Sequence, residues 1–233
     1  MLHRWEITIP QLTADLKRKA YCYVPDYFEE DPSRRFPVLY MFDGHNVFYD
    51  EDATYGKSWG MLEFLEESRL PLIVAAAECN PLPEDSEFGG RLSEYSPFDF
   101  SSSCWGDIKG RGKMTMDWLT EEFKPFIDSN FPTLPQRRYT FIAGSSMGGL
   151  MTIYALMQYN EVFSRGAALS PAFSFNPKDL VELIEASKIK RTVLYMDYGE
   201  KELRFRGIRK GLSKLSEALV SKKVLLTERI VPY

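Results

Sequence analysis

A serine between glycines stands where a strand-like run meets a helix-like run. Residues 144–148 read Gly-Ser-Ser-Met-Gly, directly after the apolar run at 137–143. This G-x-S-x-G spacing puts its central residue, Ser146, on a tight turn, because the glycines let strand and helix approach closely. The hydroxyl then lies beside the N–H of Met147 and the helix N-terminus, which is typical of a nucleophile with a donor for the oxyanion of an attacked carbonyl. The alternative is a glycine-rich turn without chemistry.

The segment DGHNVF (43–48) follows the predicted strand at 36–42. Gly44 permits an unusual backbone angle, so this loop can aim a backbone N–H at the point that the Met147 N–H faces. We expect the loop to complete an oxyanion hole. The alternative is an ordinary Asp-Gly turn.

Three carboxylates at the end of the predicted strand at 191–199 are candidates for the acid of a catalytic triad: Asp197, Glu200 and Glu202. A triad needs one acid to orient its base, so the other two must be surface charges or turn residues. Asp197 could cap or turn the chain. Glu202 follows the tight turn at Gly199 and could fold back over the sheet.

A general base for Ser146 is harder to find. The chain has two histidines, His3 and His45, and both precede the serine, whereas triads of this kind run in the order Ser, acid, His. We expect His3 to be structural, and His45 to act through its backbone or by contacting substrate. We expect the triad histidine in a C-terminal segment after Tyr233, so that this chain is truncated. The alternative is a natural or engineered inactive form.

Strand-like and helix-like runs alternate along the chain, which predicts an α/β fold with a mostly parallel central sheet and helices on both faces. We predict one domain over residues 1–233. Strands are predicted at 3–9, 19–25, 36–42, 71–78, 137–144, 164–171, 191–199 and 223–233. Helices are predicted at 58–68, 113–131, 148–159 and 177–188, and from 199 to about 221. The site of such a sheet lies beyond the carboxyl ends of its strands, where the candidates above stand.

The irregular stretch at 80–112 is expected to form a loop or lid over this site. It carries Arg91, Tyr95 and Trp105 as candidate substrate-binding residues, since aromatic side chains suit a sugar or a phenolic acyl group. For the segment RLSEY (91–95) we favour the other interpretation, a bracing ion pair.

Composition disfavours several classes of function. The formal net charge of −4 and pI of about 5.4 suggest neither nucleic acid nor an anionic membrane as a partner. No apolar run approaches the roughly 18 residues that span a bilayer, and no signal-peptide pattern opens the chain, so we expect a cytoplasmic protein. The three cysteines have no metal-like spacing and indicate reduced thiols. We expect no cofactor and no metal.

Five segments carry a family resemblance: FPVLYMFDGHNVF, RLSEYSPF, FKPFIDSNFPT, RRYTFIAGSSMGGLMTIYAL and VFSRGAALSPAF. Together they resemble the putative esterase family of α/β-hydrolases, which includes esterase D and the enterochelin, feruloyl and acetyl-xylan esterases. The similarity covers about residues 15–232. It implies an α/β-hydrolase fold, Ser146 as nucleophile, the N–H groups of Met147 and His45 as oxyanion donors, and Glu202 as the acid. The chain departs from the family in lacking a histidine after the last strand.

The resemblance implies a serine carboxylesterase that works through an acyl-enzyme. Its substrate would be a small-molecule or carbohydrate ester, such as an acetyl, feruloyl or siderophore ester. Two alternatives stay open, namely a catalytically inactive hydrolase fold that serves as a binding module, and an acyltransferase. The sequence does not indicate the oligomeric state.

Overall fold

The structure, a computed structural model, describes residues 1–26, 31, 33–204 and 207–232. Its strands are Leu2–Thr8 (β1), Lys17–Tyr23 (β2), Val38–Met41 (β3), Ile73–Ala77 (β4), Phe100–Ser102 (β5), Gly106–Ile108 (β6), Thr140–Ser145 (β7), Arg165–Leu169 (β8), Val193–Gly199 (β9) and Leu225–Val231 (β10). Strands β5 and β6 pair as a hairpin, and the others form an eight-stranded sheet in the order β1-β2-β4-β3-β7-β8-β9-β10. Strands β1 and β2 are antiparallel to their neighbours, while every pair from β4 to β10 is parallel.

Helices lie on both faces of this sheet. They are Pro10–Thr13 (α1), Met61–Ser68 (α2), Arg91–Glu94 (α3), Gly112–Trp118 (α4), Lys124–Asn130 (α5), Met147–Gln158 (α6), Pro177–Ala186 (α7) and Ile208–Ser221 (α8). Leu65 of α2 joins the apolar cluster on one face, whereas Ile153 of α6 and Leu215 of α8 join the cluster on the other. The predicted α/β architecture with a mostly parallel sheet is confirmed.

Strand β4 shows why a continuous apolar run marked a central strand. Successive side chains of a strand point to opposite faces, so a strand covered on both sides must be apolar at every position. Ile73 and Ala75 lie in one apolar cluster, and Val74 and Ala76 lie in the other. This alternation anchors the centre of the sheet.

The helix predicted at 113–131 is divided into α4 and α5 by one π-helical turn at Leu119–Phe123. Pro125 stands in the first turn of α5. Proline lacks an N–H, and its ring clashes with the carbonyl four residues earlier. The wider turn, closed by the Lys124 N–H bonding to Leu119 O, accommodates the proline without ending the helix.

Other predicted boundaries shift at segment ends or inside the predicted loop. The stretch at 80–112 contains α3 and the β5–β6 hairpin as well as irregular chain. The last strand ends at Val231, and Tyr233 of the predicted strand lies outside the described residues. Phe205 and Arg206, within the helical stretch predicted after residue 199, also lie outside them. None of the described helices is long and apolar enough to cross a membrane.

Candidate active site

Strand register brings the predicted site residues to one edge of the sheet. Met41 of β3 pairs with Ala143 of β7, so Asp43 and Ser145 follow at the same level. Ser145 pairs with Leu169 of β8, which in turn pairs with Asp197 of β9. The carboxyl ends of the four parallel strands β3, β7, β8 and β9 therefore lie at one edge of the sheet, and the predicted site residues follow them there.

Ser146 occupies a strained backbone conformation between β7 and α6. Its φ of 57° and ψ of −116° lie outside the regions that L-residues ordinarily adopt, and its side chain is exposed. Such strain costs on the order of 1–3 kcal/mol and concentrates at functional sites. Backbone bonds hold the turn: the Ser146 N–H donates to Leu169 O at 2.9 Å, and the Ala172 N–H donates to Ser146 O at 3.0 Å.

The glycines on either side of the serine are required by close backbone approach. A Cβ on Gly144 would lie 2.6 Å from the carbonyl carbon and oxygen of Gly148. A Cβ on Gly148 would lie 3.0 Å from Phe42 Cβ. We call residues 144–148 the serine turn, and its shape follows from these two contacts.

Two sets of backbone N–H groups are available near the serine turn. Met147 opens α6, so its N–H has no intrahelical acceptor. Residues 43–48, the β3 loop, contain a 3₁₀ turn at Gly44–Asn46, whose first hydrogen bond is donated by Asn46. The His45 N–H therefore makes no backbone hydrogen bond within the described residues.

The β3 loop is pressed against the neighbouring strand. A Cβ on Gly44 would lie 2.7–2.9 Å from backbone atoms of Ala77, so only glycine fits there. Asp43 adopts φ of 59°, a left-handed conformation that aspartate tolerates better than most residues. Its N–H donates to the Tyr95 hydroxyl at 3.1 Å.

Arg91 clamps this loop from α3. Its Nε and Nη2 donate to the two carboxylate oxygens of buried Asp43 at 2.5 and 2.7 Å, and Nη2 lies 3.4 Å from Ser145 O. One guanidinium thus ties the β3 loop to the serine turn, and a bidentate pair fixes orientation as well as distance. Arg91 and buried Tyr95 are both engaged in this bracing, so the ion pair expected for the segment RLSEY is present.

A second, fully buried ion pair anchors the other end of α3. Arg18 Nη1 lies 2.9 Å from Glu94 Oε1 and 2.7 Å from Oε2. Burial raises the pKa of the Glu94 carboxyl to about 7, with Arg18 opposing that shift. The single helical turn of α3 therefore carries both charges that brace the predicted site.

The two candidate acids have different partners. Glu202 Oε1 accepts hydrogen bonds from the Ser170 hydroxyl at 2.8 Å and from the Gly199 N–H at 3.1 Å. Asp197 accepts from the Ser170 N–H at 3.2 Å and from the Tyr195 hydroxyl at 3.0 Å. Ser170 follows β8 directly and links both acids to the strand whose Leu169 carbonyl receives the Ser146 N–H.

Neither histidine side chain bonds to Ser146 or Glu202 in the described part of the chain. His3 lies on β1, at the far edge of the sheet, with its ring 5.3 Å from that of Phe131. His45 places Nε2 3.0 Å from Thr54 Oγ1, while its Nδ1 is buried without a partner. Within the described residues, no hydrogen bond therefore places either histidine side chain as a base for Ser146.

Trp105 lies on the β5–β6 hairpin and is half exposed, with its ring 6.2 Å from that of Phe175. Phe175 also stacks on Phe100 at 4.6 Å, and Asn176 Nδ2 donates to Asp99 O at 3.0 Å. These contacts fasten the hairpin to the loop after β8, next to the serine turn. Substrate contact by Trp105 stays a prediction.

Ser170 and the Asp43 side chain are site residues that sequence reasoning missed. Ser170 lies within the segment ALSPAF, and its φ of 41° is a signal that only coordinates give. Asp43 was considered only as part of an Asp-Gly turn. Its partner Arg91 is 48 residues away, too far for any local pattern to reveal.

Comparisons with known proteins show the family and the fold of the chain. A family model described as "Putative esterase" matches residues 13–204. The uncharacterized protein YbbA of Bacillus subtilis (strain 168) is 26% identical over 194 residues, which cover 79% of this chain and 69% of that protein.

Solved structures share the fold at low identity. An IroE-like serine hydrolase from Shewanella oneidensis has a TM-score of 0.71 at 18% identity, covering 100% of this chain and 73% of that one. The enterobactin esterase FES from Shigella flexneri, solved in the presence of enterobactin, has a TM-score of 0.70 at 15% identity, covering 100% of this chain and 54% of that one. The family model extends from α1 through the acid-bearing end of β9, so the chain belongs to the putative esterase family, a group of ester hydrolases with the α/β-hydrolase fold.

Proposed function

We propose that the protein is a serine carboxylesterase with Ser146 as its nucleophile. The observation that carries the proposal is the strained, exposed conformation of Ser146 at φ 57° and ψ −116°. Strain of this kind persists only where surrounding structure holds it, here by glycine packing and two backbone hydrogen bonds. A turn without chemistry would not need a serine at that position.

The reaction is acyl transfer to water. Ser146 Oγ attacks the ester carbonyl carbon as its proton passes to an imidazole, and the N–H groups of Met147 and His45 hold the oxyanion. When the resulting tetrahedral intermediate collapses, the bond from the carbonyl carbon to the alcohol oxygen breaks. The leaving alcohol takes the proton from the imidazolium. Water then attacks the acyl-enzyme by the same route and releases the acid. Glu202 orients the imidazole and stabilises its cation.

The mechanism needs an imidazole, and neither histidine side chain bonds to Ser146 or Glu202 within the described ranges. The geometry of β10 supports a place for that imidazole beside Glu202, because the Glu200 N–H donates to Val231 O at 2.9 Å. That contact brings the carboxyl end of β10 next to residues 199–202, the acid turn. A histidine at this end of β10 would therefore lie near Glu202.

The proposed substrate is a carbohydrate acetyl or feruloyl ester, or a siderophore ester. The half-exposed Trp105 and the stacked Phe100 and Phe175 support an aromatic or sugar-containing group, since both kinds of ring pack on aromatic faces. The similarity in fold to an enterobactin esterase supports the siderophore ester. Free thiols at Cys22, Cys79 and Cys104 fit a reducing compartment, so we place the protein in the cytoplasm.

A binding module without catalysis is the second candidate. It is favoured by one observation: within the described ranges neither histidine side chain bonds to Ser146 or Glu202. A serine without a base is a poor nucleophile, because its hydroxyl must lose a proton as it attacks. An acyltransferase, the third candidate, would differ from an esterase by passing its acyl group to an added alcohol in preference to water.

The deciding experiment is labelling of the natively produced protein with a fluorophosphonate serine probe, followed by intact-mass analysis and peptide mapping. We expect one adduct at Ser146 that is absent from Ser146→Ala and present in Ser145→Ala, the matched control one residue away. No adduct on a protein with a normal melting transition would overturn the esterase and favour the binding module. An adduct on a protein of 26.9 kDa, the mass of these 233 residues, would instead make His45 the candidate base.

A further inference from the structure

A second cluster of reactive side chains lies beside the β3 loop. Asp43, His45 and Cys79 are all buried, and one potential ligand atom from each lies within 4.8 Å of the others. Asp43 and His45 follow β3, and Cys79 follows β4, its neighbour in the sheet. Parallel strands thus bring together residues whose spacing in sequence shows no metal-binding pattern.

One ring nitrogen of His45 makes no hydrogen bond to the described residues. Its Nε2 is held by Thr54 Oγ1 at 3.0 Å, whereas Nδ1 is buried and has no hydrogen-bond partner among the residues that the structure describes. The residue is 9% exposed, so water does not readily solvate that nitrogen. A buried polar atom without a hydrogen bond destabilises the folded protein, and a ligand at Nδ1 would remove that cost.

Two of the three proposed ligands, His45 and Asp43, are held by hydrogen bonds of the kind that orient metal ligands. Metal-binding imidazoles and carboxylates are themselves hydrogen-bonded by an outer layer of partners. Thr54 provides that partner for His45, and Arg91 provides it for Asp43 with contacts of 2.5 and 2.7 Å. These contacts favour the same orientation of His45 and Asp43 when no metal is bound.

We propose that Asp43, His45 Nδ1 and Cys79 Sγ form a binding site for a transition metal of the Zn²⁺ class. Thiolate, imidazole and carboxylate are the donors that Zn²⁺ takes, and Mg²⁺ or Ca²⁺ would require oxygen ligands. A cavity of about 520 Å³, lined by His45, Cys79 and Thr54 among others, opens onto the site. It leaves room for a water as the fourth ligand and gives the ion a route from solvent.

The charges of the site balance when the thiol gives up its proton. Binding of Zn²⁺ forms a bond to sulfur and releases one proton to solvent. The ion's two positive charges and the guanidinium of Arg91, which is paired with Asp43, then face three negative charges. These are the Asp43 carboxylate, the Cys79 thiolate and the Glu78 carboxylate, which borders the same cavity.

Binding is tested with tag-free protein and does not depend on ester hydrolysis. Co²⁺ serves as a spectroscopic probe, because a thiolate ligand gives a charge-transfer absorption in the near ultraviolet. We expect one equivalent of Co²⁺ to produce that band, Zn²⁺ to displace it and Mg²⁺ to leave it unchanged. Cys79→Ser should abolish the band, and Cys104→Ser, which removes an exposed thiol, should retain it.

A second variant keeps the test decisive if Cys79→Ser does not fold. Thr54 is exposed, so Thr54→Val should fold, yet it removes the partner that holds His45 Nε2. Loss of such an outer partner lowers metal affinity about 10–100-fold, which competition with a chromophoric chelator for Zn²⁺ would measure. A thiolate band that survives in Cys79→Ser, an unchanged affinity in Thr54→Val, or the absence of saturable binding in the unmodified protein would each overturn the proposal.

Discussion

The two sides of the proposed active site are held by different kinds of interaction. On the nucleophile side, buried charges fix the backbone: Asp43 is bidentate with Arg91, and Glu94 pairs with Arg18. On the acid side, Glu202 and Asp197 accept hydrogen bonds from neutral groups, chiefly from Ser170. One side is therefore braced by ion pairs inside the protein, and the other by hydrogen bonds near its surface.

The two sides of the proposed active site also differ in burial, since the nucleophile side is buried and the acid side is next to an exposed strand. Asp43 and Glu94 are 1% and 3% exposed, whereas nearly every residue of β10, the strand beside the acid turn, is exposed. Breaking one partner of a buried ion pair costs about 3–5 kcal/mol, because the other charge is left in a poor solvent. Neutral hydrogen bonds contribute about 1 kcal/mol each. The nucleophile side is thus the more rigid of the two.

This difference matches what each side is proposed to do. Backbone N–H donors stabilise an oxyanion only if they are already in place, since energy spent on moving them is lost from catalysis. A carboxylate that orients an imidazole has a less exacting task, because the ring brings its own hydrogen bond. We infer that rigidity is concentrated where the N–H groups must not move.

The largest effect is expected from the acid side. In the natively produced protein, Glu202→Gln should lower kcat about 10³–10⁴-fold, because the amide cannot stabilise the imidazolium or select its tautomer. Asp197→Asn should leave kcat near that of the unmodified protein, since Asp197 holds Ser170 and Tyr195. Steady-state hydrolysis of an aryl acetate measures both.

The pair of variants decides between the two acids. A large loss in Asp197→Asn with little change in Glu202→Gln would exchange their roles. Equal, small losses would place the acid elsewhere and would contradict the mechanism proposed for this side of the site. Melting temperatures of both variants identify any loss that is due to unfolding.

The second-largest change in kcat is expected for a variant that displaces the β3 loop, and it tests whether the nucleophile side must stay rigid. Gly44→Ala should lower kcat about 10²–10³-fold, the usual consequence of losing one oxyanion donor. The added Cβ would lie 2.7 Å from the Ala77 carbonyl carbon, so the β3 loop must move and carry the His45 N–H away. Gly56→Ala is the matched control, because its φ is +67° but no atom lies within 4 Å of the added Cβ.

The control separates displacement from backbone strain. Gly56→Ala should cost about 1–2 kcal/mol of unfolding free energy and leave kcat near that of the unmodified protein. If Gly44→Ala also retains its kcat, the His45 N–H is not an oxyanion donor. Fluorophosphonate labelling rates provide a second measurement that does not depend on the choice of ester.

The positions of the strands along the chain and the place of Ser146 could be predicted from the sequence because both depend on local signals. Continuous apolar runs marked the central strands, and the small residues around Ser146 marked a turn that only close backbone approach explains. Local signals also limited the candidates for the triad acid to three carboxylates at the end of one predicted strand: Asp197, Glu200 and Glu202. These features need no knowledge of distant residues.

The bracing of the site depends on contacts between distant residues, and sequence could not supply it in full. Arg18 and Glu94 are 76 residues apart, and each resembles an ordinary surface charge when considered alone. The helical turn α3 lay inside a stretch predicted to be irregular, because four residues are too few for a periodic pattern. Asp43, His45 and Cys79 likewise became neighbours only through the pairing of β3 with β4.

The smallest expected effect is a change in the free energy of unfolding with pH, which arises from the buried carboxyl of Glu94. Burial raises its pKa from 4.5 to about 7, so between these values the folded protein holds a proton that the unfolded chain has released. The contribution of Glu94 to the free energy of unfolding is therefore fully present below about pH 4.5, and it is lost as the pH rises through 7. The whole change amounts to roughly 3 kcal/mol. Urea unfolding at a series of pH values measures it.

The variant Glu94→Gln separates this contribution from that of other groups. The amide does not titrate, so the variant should lose the fall in stability between pH 4.5 and 7, whatever its absolute stability. Glu182→Gln, which changes an exposed carboxyl, is the control and should keep the slope of the unmodified protein. Identical slopes in all three proteins would mean that Arg18 keeps Glu94 ionised in the folded state. In that case the nucleophile side would be braced by a full ion pair throughout this range, and the contrast with the acid side would be sharper still.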